Sequence, residues 1–376
     1  MLLTLLATLA VSSVAEDTAA LRAAEKQAFL ADLQLAGDFP AALSAASVRR
    51  GERYQASLAS GRLSIGPTVN TLYGSLTGVT GGNVTQFLGV PFAQPPVGSL
   101  RWKSPLPPTP WGSRNASWFG FTCPQKEAST WAIFTGTSED CLNLNIYAPS
   151  APPPPAGYPI MLFFYGGSFT YGSAGFPLYD GWFDVSLLKD TIIIASNYRL
   201  GVLGFLAGDD LRAESADGSV GTYGFQDQIA ALKFVQATAA AFGGDASRVT
   251  IFGESAGAAS VSNHLVSPQS AGLFSGAIIE SGSFSSWTAQ PYNISATRLA
   301  QFSANTDCTG HGASLLACLR ALNASQVLDG DRDLTSGFLE WSPAIDGVYV
   351  TDDPRVLLAA GKAANVPVIM GFVSAA

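Results

Sequence analysis

The run Val249-Thr250-Ile251-Phe252, followed by Gly253-Glu254-Ser255-Ala256-Gly257 and then an Ala-rich stretch, constrains this chain more than any other feature. A serine framed by small residues where an apolar run gives way to a helix has the form of a nucleophile elbow. So tight a turn brings neighbouring side chains into collision unless they are glycine, and it holds the serine hydroxyl outward. The next N–H, that of Ala256, then lies unpaired at a helix N-terminus and can donate to an oxyanion. In a chain with 39 glycines the Gly-x-Ser-x-Gly spacing alone arises by chance. The strand before it and the helix after it give it weight.

Four apolar runs without alternation, residues 160–164, 191–195, 249–252 and 277–279, predict buried strands of a parallel sheet. Residues 366–370 are a plausible fifth. Between the second and third, residues 223–242 carry apolar positions at helical spacing: Ile229, Leu232, Phe234 and Val235. Strand–helix–strand alternation predicts an open α/β sheet with its site at the carboxyl ends of the strands. The 376 residues, 47% hydrophobic, supply ample material for such a core. The Pro run at 151–155 reads as a stiff surface connection, and no internal repeat is visible.

A net charge of −8 argues against nucleic acid and against anionic membrane surfaces as partners. Residues 1–15 read as a secretory signal, with an apolar stretch at 2–11 and small residues Ser13-Val14-Ala15 for cleavage. The apolar stretch is too short to cross a bilayer, and no other uninterrupted apolar segment reaches spanning length. Residues 16–65 are expected to form a helical or disordered leader, with Arg49-Arg50 either a processing site or a solvated pair. The main domain is expected over 66–376. Export agrees with four glycosylation acceptors, Asn83, Asn115, Asn293 and Asn323, and with an even cysteine count. The four cysteines allow three pairings; local closure favours Cys123–Cys141 and Cys308–Cys318. Neither pair has a further cysteine or histidine at metal-ligand spacing, so no metal is expected.

Several further motifs now stand in one order. Phe87-Leu88-Gly89-Val90-Pro91-Phe92-Ala93-Gln94-Pro95-Pro96-Val97-Gly98 precedes Leu100-Arg101-Trp102. Glu139-Asp140-Cys141-Leu142-Asn143-Leu144-Asn145 follows, then Asn197-Tyr198-Arg199-Leu200-Gly201, Phe242-Gly243-Gly244-Asp245 and the elbow. Together they resemble the type-B carboxylesterase and cholinesterase family of α/β-hydrolases, over roughly residues 68–371. The resemblance implies an α/β-hydrolase fold and a serine esterase acting on small-molecule or lipid esters without a cofactor. Ser255 aligns with the acyl-accepting nucleophile. Tyr165-Gly166-Gly167-Ser168-Phe169 aligns with the glycine-rich oxyanion loop, so Gly167 and Ser168 would donate backbone N–H groups beside Ala256. Ser168 stands where the family usually has a third glycine, a change that keeps the N–H and narrows access for bulky acyl groups. Both local disulfides fall where the family closes loops. Arg101 and Glu139 resemble its buried structural ion pair. Glu254 either tunes the field at the serine or is a hydrogen-bonded elbow residue, and Phe284 and Trp287 either line an acyl pocket or pack in the core. A lipase and a non-catalytic binding module are the alternatives within this fold.

The chain holds two histidines. His264 lies nine residues beyond Ser255 on the following helix, roughly 13 Å along its axis, so it is not expected at the hydroxyl; it matches a structural position of the resembled family, which implies a core or helix-face histidine. His311, between Cys308 and Cys318, is expected at the surface. The family's catalytic glutamate falls near Ala376 in this register, and its histidine further on. The expectation is therefore either an incomplete sequence of an active esterase or a product that has lost its acid and base.

Overall fold

The computed structural model describes residues 64–126, 132, 136–176, 179–332 and 341–372. The expected signal, nearly all of the leader, Arg49-Arg50 and the position near Ala376 lie outside the described residues. Ser64 and Ile65, expected in the leader, instead open the first strand.

Two-residue turns fold β1 (Ser64–Thr71), β2 (Gly74–Gly81) and β3 (Val84–Pro91) into an antiparallel meander. At the second turn Gly82 takes φ 56°, the left-handed geometry that matches a hairpin to the twist of its strands. β4 (Ser113–Asn115) lies parallel to β2, and β5 (Asn143–Pro149) runs antiparallel to β3. The expected parallel part follows as β6 (Tyr158–Phe164), β7 (Ile192–Ser196), β8 (Gly244–Glu254) and β9 (Gly276–Glu280). Short strands β10 (Gln290–Pro291) and β11 (Ala344–Ile345) pair apart, and β12 (Val368–Gly371) joins the main sheet. The order is β1-β2-β3-β5-β7-β6-β8-β9-β12. The sheet is parallel only from β7 onward, apart from β4; the half-polar N-terminal strands build an antiparallel half that apolar runs do not reveal.

Helices fill the crossovers. They are α1 (Trp182–Leu188), α2 (Gly201–Phe205), α3 (Asp209–Glu214), α4 (Tyr223–Thr238) and α5 (Ala256–Val266). After β9 come α6 (Tyr292–Asn305), α7 (Gly312–Ala321), α8 (Ala324–Gly330) and α9 (Pro354–Ala359). The helix expected over 223–242 ends at Thr238 and tightens into a 3-10 turn, Ala239–Phe242, stopped by Gly243 at φ 79°. Every residue of β5 and β7 is buried, and Leu162, Phe164, Val249 and Ile251 are inaccessible at the sheet centre. Burial on both faces is what selects an unbroken apolar strand. No helix among the described residues is long and apolar enough to cross a membrane.

Two buried ion pairs tie loops to this core. Arg101 donates to both carboxylate oxygens of Glu139 and to the Leu319 carbonyl, as its expected structural role requires. Arg199 forks onto Asp227, whose carboxyl burial nevertheless pushes upward. At the far edge the pattern reverses. Val368, Ile369 and Met370 of β12 are 44%, 66% and 43% exposed, and Phe372 is 64% exposed.

Candidate active site

β6 and β8 are neighbours, with Phe164 in register with Gly253, so the chain segments leaving their carboxyl ends emerge side by side. One is the elbow. Ser255 sits between β8 and α5 with φ 54° and ψ −118°, outside the ordinary regions for a residue with a side chain. Its N–H donates to the Glu280 carbonyl on β9, and its own carbonyl accepts from Ala259, so the strained turn is held from both sides. The serine is partly exposed.

The other segment is the loop Tyr165-Gly166-Gly167-Ser168-Phe169. Gly167, Ser168 and Phe169 all take positive φ, at 109°, 55° and 60°. Gly166 lies against the elbow itself: a β-carbon there would stand 2.8 Å from the Glu254 carbonyl oxygen and 3.1 Å from Ser255 Cβ. The N–H groups of Gly167, Ser168 and Ala256 donate to no acceptor among the described residues. Unpaired donors at a helix start and in a turned loop are the raw material of an oxyanion hole. The Ser168 side chain is also enclosed, 4% exposed, and its Oγ has no hydrogen-bond partner.

The structure joins Cys123 to Cys141 and Cys308 to Cys318. The first bond braces the loop. Gln125, two residues on, donates to the Cys123 and Gly172 carbonyls and accepts from the Gly172 N–H, while Thr122 and Ser173 share a hydroxyl contact of 2.9 Å.

Glu254 and Glu280 end adjacent parallel strands in register. Burial pushes both carboxyls above their ordinary value, and the neighbouring Glu280 charge raises Glu254 further. Sequence reading missed Glu280; its place at the end of an apolar run was legible, but its neighbour depends on strand order. Phe284 and Trp287 are half-buried against the main core.

Neither histidine is placed to deprotonate Ser255. Both ring nitrogens of buried His264 are occupied, Nδ1 by Ser270 Oγ at 2.8 Å and Nε2 by Gln228 Oε1 at 3.2 Å. Burial lowers its pKa to about 3. His311 is 96% exposed and lies 3.9 Å from Asp210. Of the four residues expected as glycosylation acceptors, Asn115, Asn293 and Asn323 are exposed and Asn83 is half-buried. Asn323 caps α8 through a reciprocal pair of hydrogen bonds with Gln326.

The chain is similar to several known proteins. The chain is 38% identical to mouse cholinesterase over 309 residues, which is 78% of this chain and 50% of that protein. It is 39% identical to chicken acetylcholinesterase over 315 residues, 78% of this chain and 40% of that protein. The cAMP-regulated D2 protein of Dictyostelium discoideum is 37% identical over 320 residues, 81% of this chain and 56% of that protein. The chain thus spans about half the length of the curated relatives it matches. A solved PNB esterase superposes with a TM-score of 0.73 at 34% identity, covering 81% of this chain and 63% of that one. The sheet order, the elbow between β8 and α5 and these likenesses agree with the match of residues 66–376 to the carboxylesterase family, and the chain belongs to that family, with the α/β-hydrolase fold.

Proposed function

We propose that this chain is an exported carboxylic ester hydrolase in which Ser255 forms the acyl-enzyme. The observation that carries the reading is Ser255 at φ 54° on the turn from β8 to α5, with Gly166 packed against its Cβ position. Attack of Ser255 Oγ on an ester carbonyl forms a C–O bond and places negative charge on the carbonyl oxygen. The N–H groups of Gly167, Ser168 and Ala256 stabilise that charge, one such donor contributing roughly 3–4 kcal/mol. Collapse expels the alcohol, and water then attacks the acyl-serine to release the acid. The step requires a base for the serine proton, and His264 and His311 do not serve. Residues 1–376 alone are therefore a slow esterase, retaining what the oxyanion donors give by themselves. Export is supported by the two disulfides and the exposed acceptors Asn115, Asn293 and Asn323. Small-molecule or lipid esters are the substrates.

A fluorophosphonate probe, followed by peptide mapping, tests the nucleophile. Label on Ser255 is expected; label elsewhere, or none after prolonged incubation, removes the reading. An unlabelled Ser255 in a folded chain would select the alternative reading, a non-catalytic binding module of the same fold.

A further inference from the structure

We propose that His264, which contacts no reacting atom, is a positioning residue that holds the two halves of the candidate oxyanion hole together through a one-directional hydrogen-bond relay. The proposal rests on reading Ser255 as the nucleophile. Four side chains form the relay, and all are at most 1% exposed: Ser270, His264, Gln228 and Ser260. Ser270 Oγ lies 2.8 Å from His264 Nδ1 and His264 Nε2 lies 3.2 Å from Gln228 Oε1. Gln228 Nε2 donates to Ser260 Oγ at 3.0 Å, and Ser260 Oγ donates to the Ala256 carbonyl at 3.0 Å.

The far end sets the direction. A carbonyl only accepts, so the single Ser260 proton goes to Ala256. Gln228 must then turn its NH2 group to Ser260 and its oxygen to His264. The imidazole in turn carries its proton on Nε2 and accepts from Ser270 on Nδ1. Every donor points toward the first turn of α5. Bonds aligned head to tail polarise one another in a dry interior, so the chain stiffens the peptide that follows the Ala256 N–H.

The same ring reaches the other half. It stacks on Phe164 with centroids 5.0 Å apart, and Phe164 is the last residue of β6 before the loop carrying Gly167 and Ser168. Phe225 of α4 also packs on the ring, tilted, with centroids 4.5 Å apart. His264 thus grips the start of α5 by hydrogen bonds and the end of β6 by its face. Ionisation would destroy the acceptor at Nδ1 and break the sense of the chain. Burial, which depresses its pKa to about 3, keeps the ring neutral over ordinary pH.

Ser262 provides a built-in control. It lies on the same helix, is equally buried and donates to the Ala258 carbonyl at 3.1 Å, with no relay behind it. The test has two arms on the whole chain. Nitrogen-15 NMR of labelled histidine should show a protonated Nε2 and an unprotonated Nδ1 in His264, unchanged from pH 8 to pH 5. Fluorophosphonate labelling of Ser255 should slow about tenfold in Ser260→Ala, the order expected for one net hydrogen bond, while Ser262→Ala stays near wild type. A proton on Nδ1, an imidazolium in that range, or equal slowing in the two variants overturns the positioning role alone, provided wild type is labelled. A wild-type chain never labelled at Ser255 overturns the ester-hydrolase reading, and the role of His264 with it.

Discussion

Gly257 and Phe164 meet backbone to backbone: a β-carbon on Gly257 would stand 1.9 Å from the Phe164 carbonyl oxygen. That approach seats α5 on the end of β6 and brings the elbow to the oxyanion loop. In an ordinary helix Gly→Ala is stabilising, by about 1 kcal/mol. Here Gly257→Ala is expected to destabilise by about 3 kcal/mol, because backbone and not a flexible side chain must move. Urea unfolding monitored by tryptophan fluorescence measures it, and an unchanged midpoint would show that the helix can lift without cost.

Ser255 is strained, so activity and stability should separate there. Ser255→Ala removes acyl transfer and leaves unfolding near wild type, since the unfavourable φ and ψ persist. Ser255→Gly should also be inactive but gain about 1 kcal/mol, the strain relief exceeding the entropy of glycine. Equal midpoints for the two variants would count against stored strain at the elbow.

Two buried groups bend the pH profile in opposite directions. His264 has its folded pKa depressed to about 3, so its stability is complete above the unfolded value of about 6.5 and declines as pH falls toward 3. Burial raises Asp331 to about 6, partly offset by Lys126. In that case the folded state takes up the proton first, and its contribution grows as pH falls from 6 to 4. Asp331→Asn removes this compensation. The variant should lose about 2 kcal/mol more than wild type between pH 6 and pH 4, with the slope limited to about 1.4 kcal/mol per pH unit. Denaturant midpoints at the two pH values decide it; parallel changes in both proteins would refute the assignment.

The two disulfides differ in access. Cys123 and Cys141 are fully buried, whereas Cys318 lies on the exposed side of α7 with Cys308 beneath it. Mild reductant followed by alkylation of the folded chain should modify Cys308 and Cys318 first. Cys123 and Cys141 should react only as the protein unfolds. Simultaneous modification of all four would show that native opening is global.

The active-site series checks the base. Purified residues 1–376 should hydrolyse p-nitrophenyl butyrate far more slowly than an ordinary esterase, because both nitrogens of His264 are taken and His311 is at the surface. Turnover at a normal esterase rate would mean that another group deprotonates Ser255.

Much of this was legible along the chain. The parallel strands appear as unbroken apolar runs because burial on both faces demands them, and Gly253 and Gly257 mark the elbow because only glycine fits there. Helix rise alone kept His264 away from the Ser255 hydroxyl; that it lies in the core and not on an exposed helix face was decided by packing. The antiparallel half was less visible, since strands such as β1 mix polar and apolar residues and pair through neighbours that no local pattern names. Strand order decided the rest. Only the folded sheet places Glu280 beside Glu254, brings Gly166 against Ser255, and aligns Gln228 of α4 between His264 and Ser260. Those residues lie 26 to 89 positions apart, and local periodicity carries no information about contacts at such separations. Sequence determined the parallel strands, the helix between them and which serine sits at the turn; tertiary packing determined the strand order and which groups surround that serine.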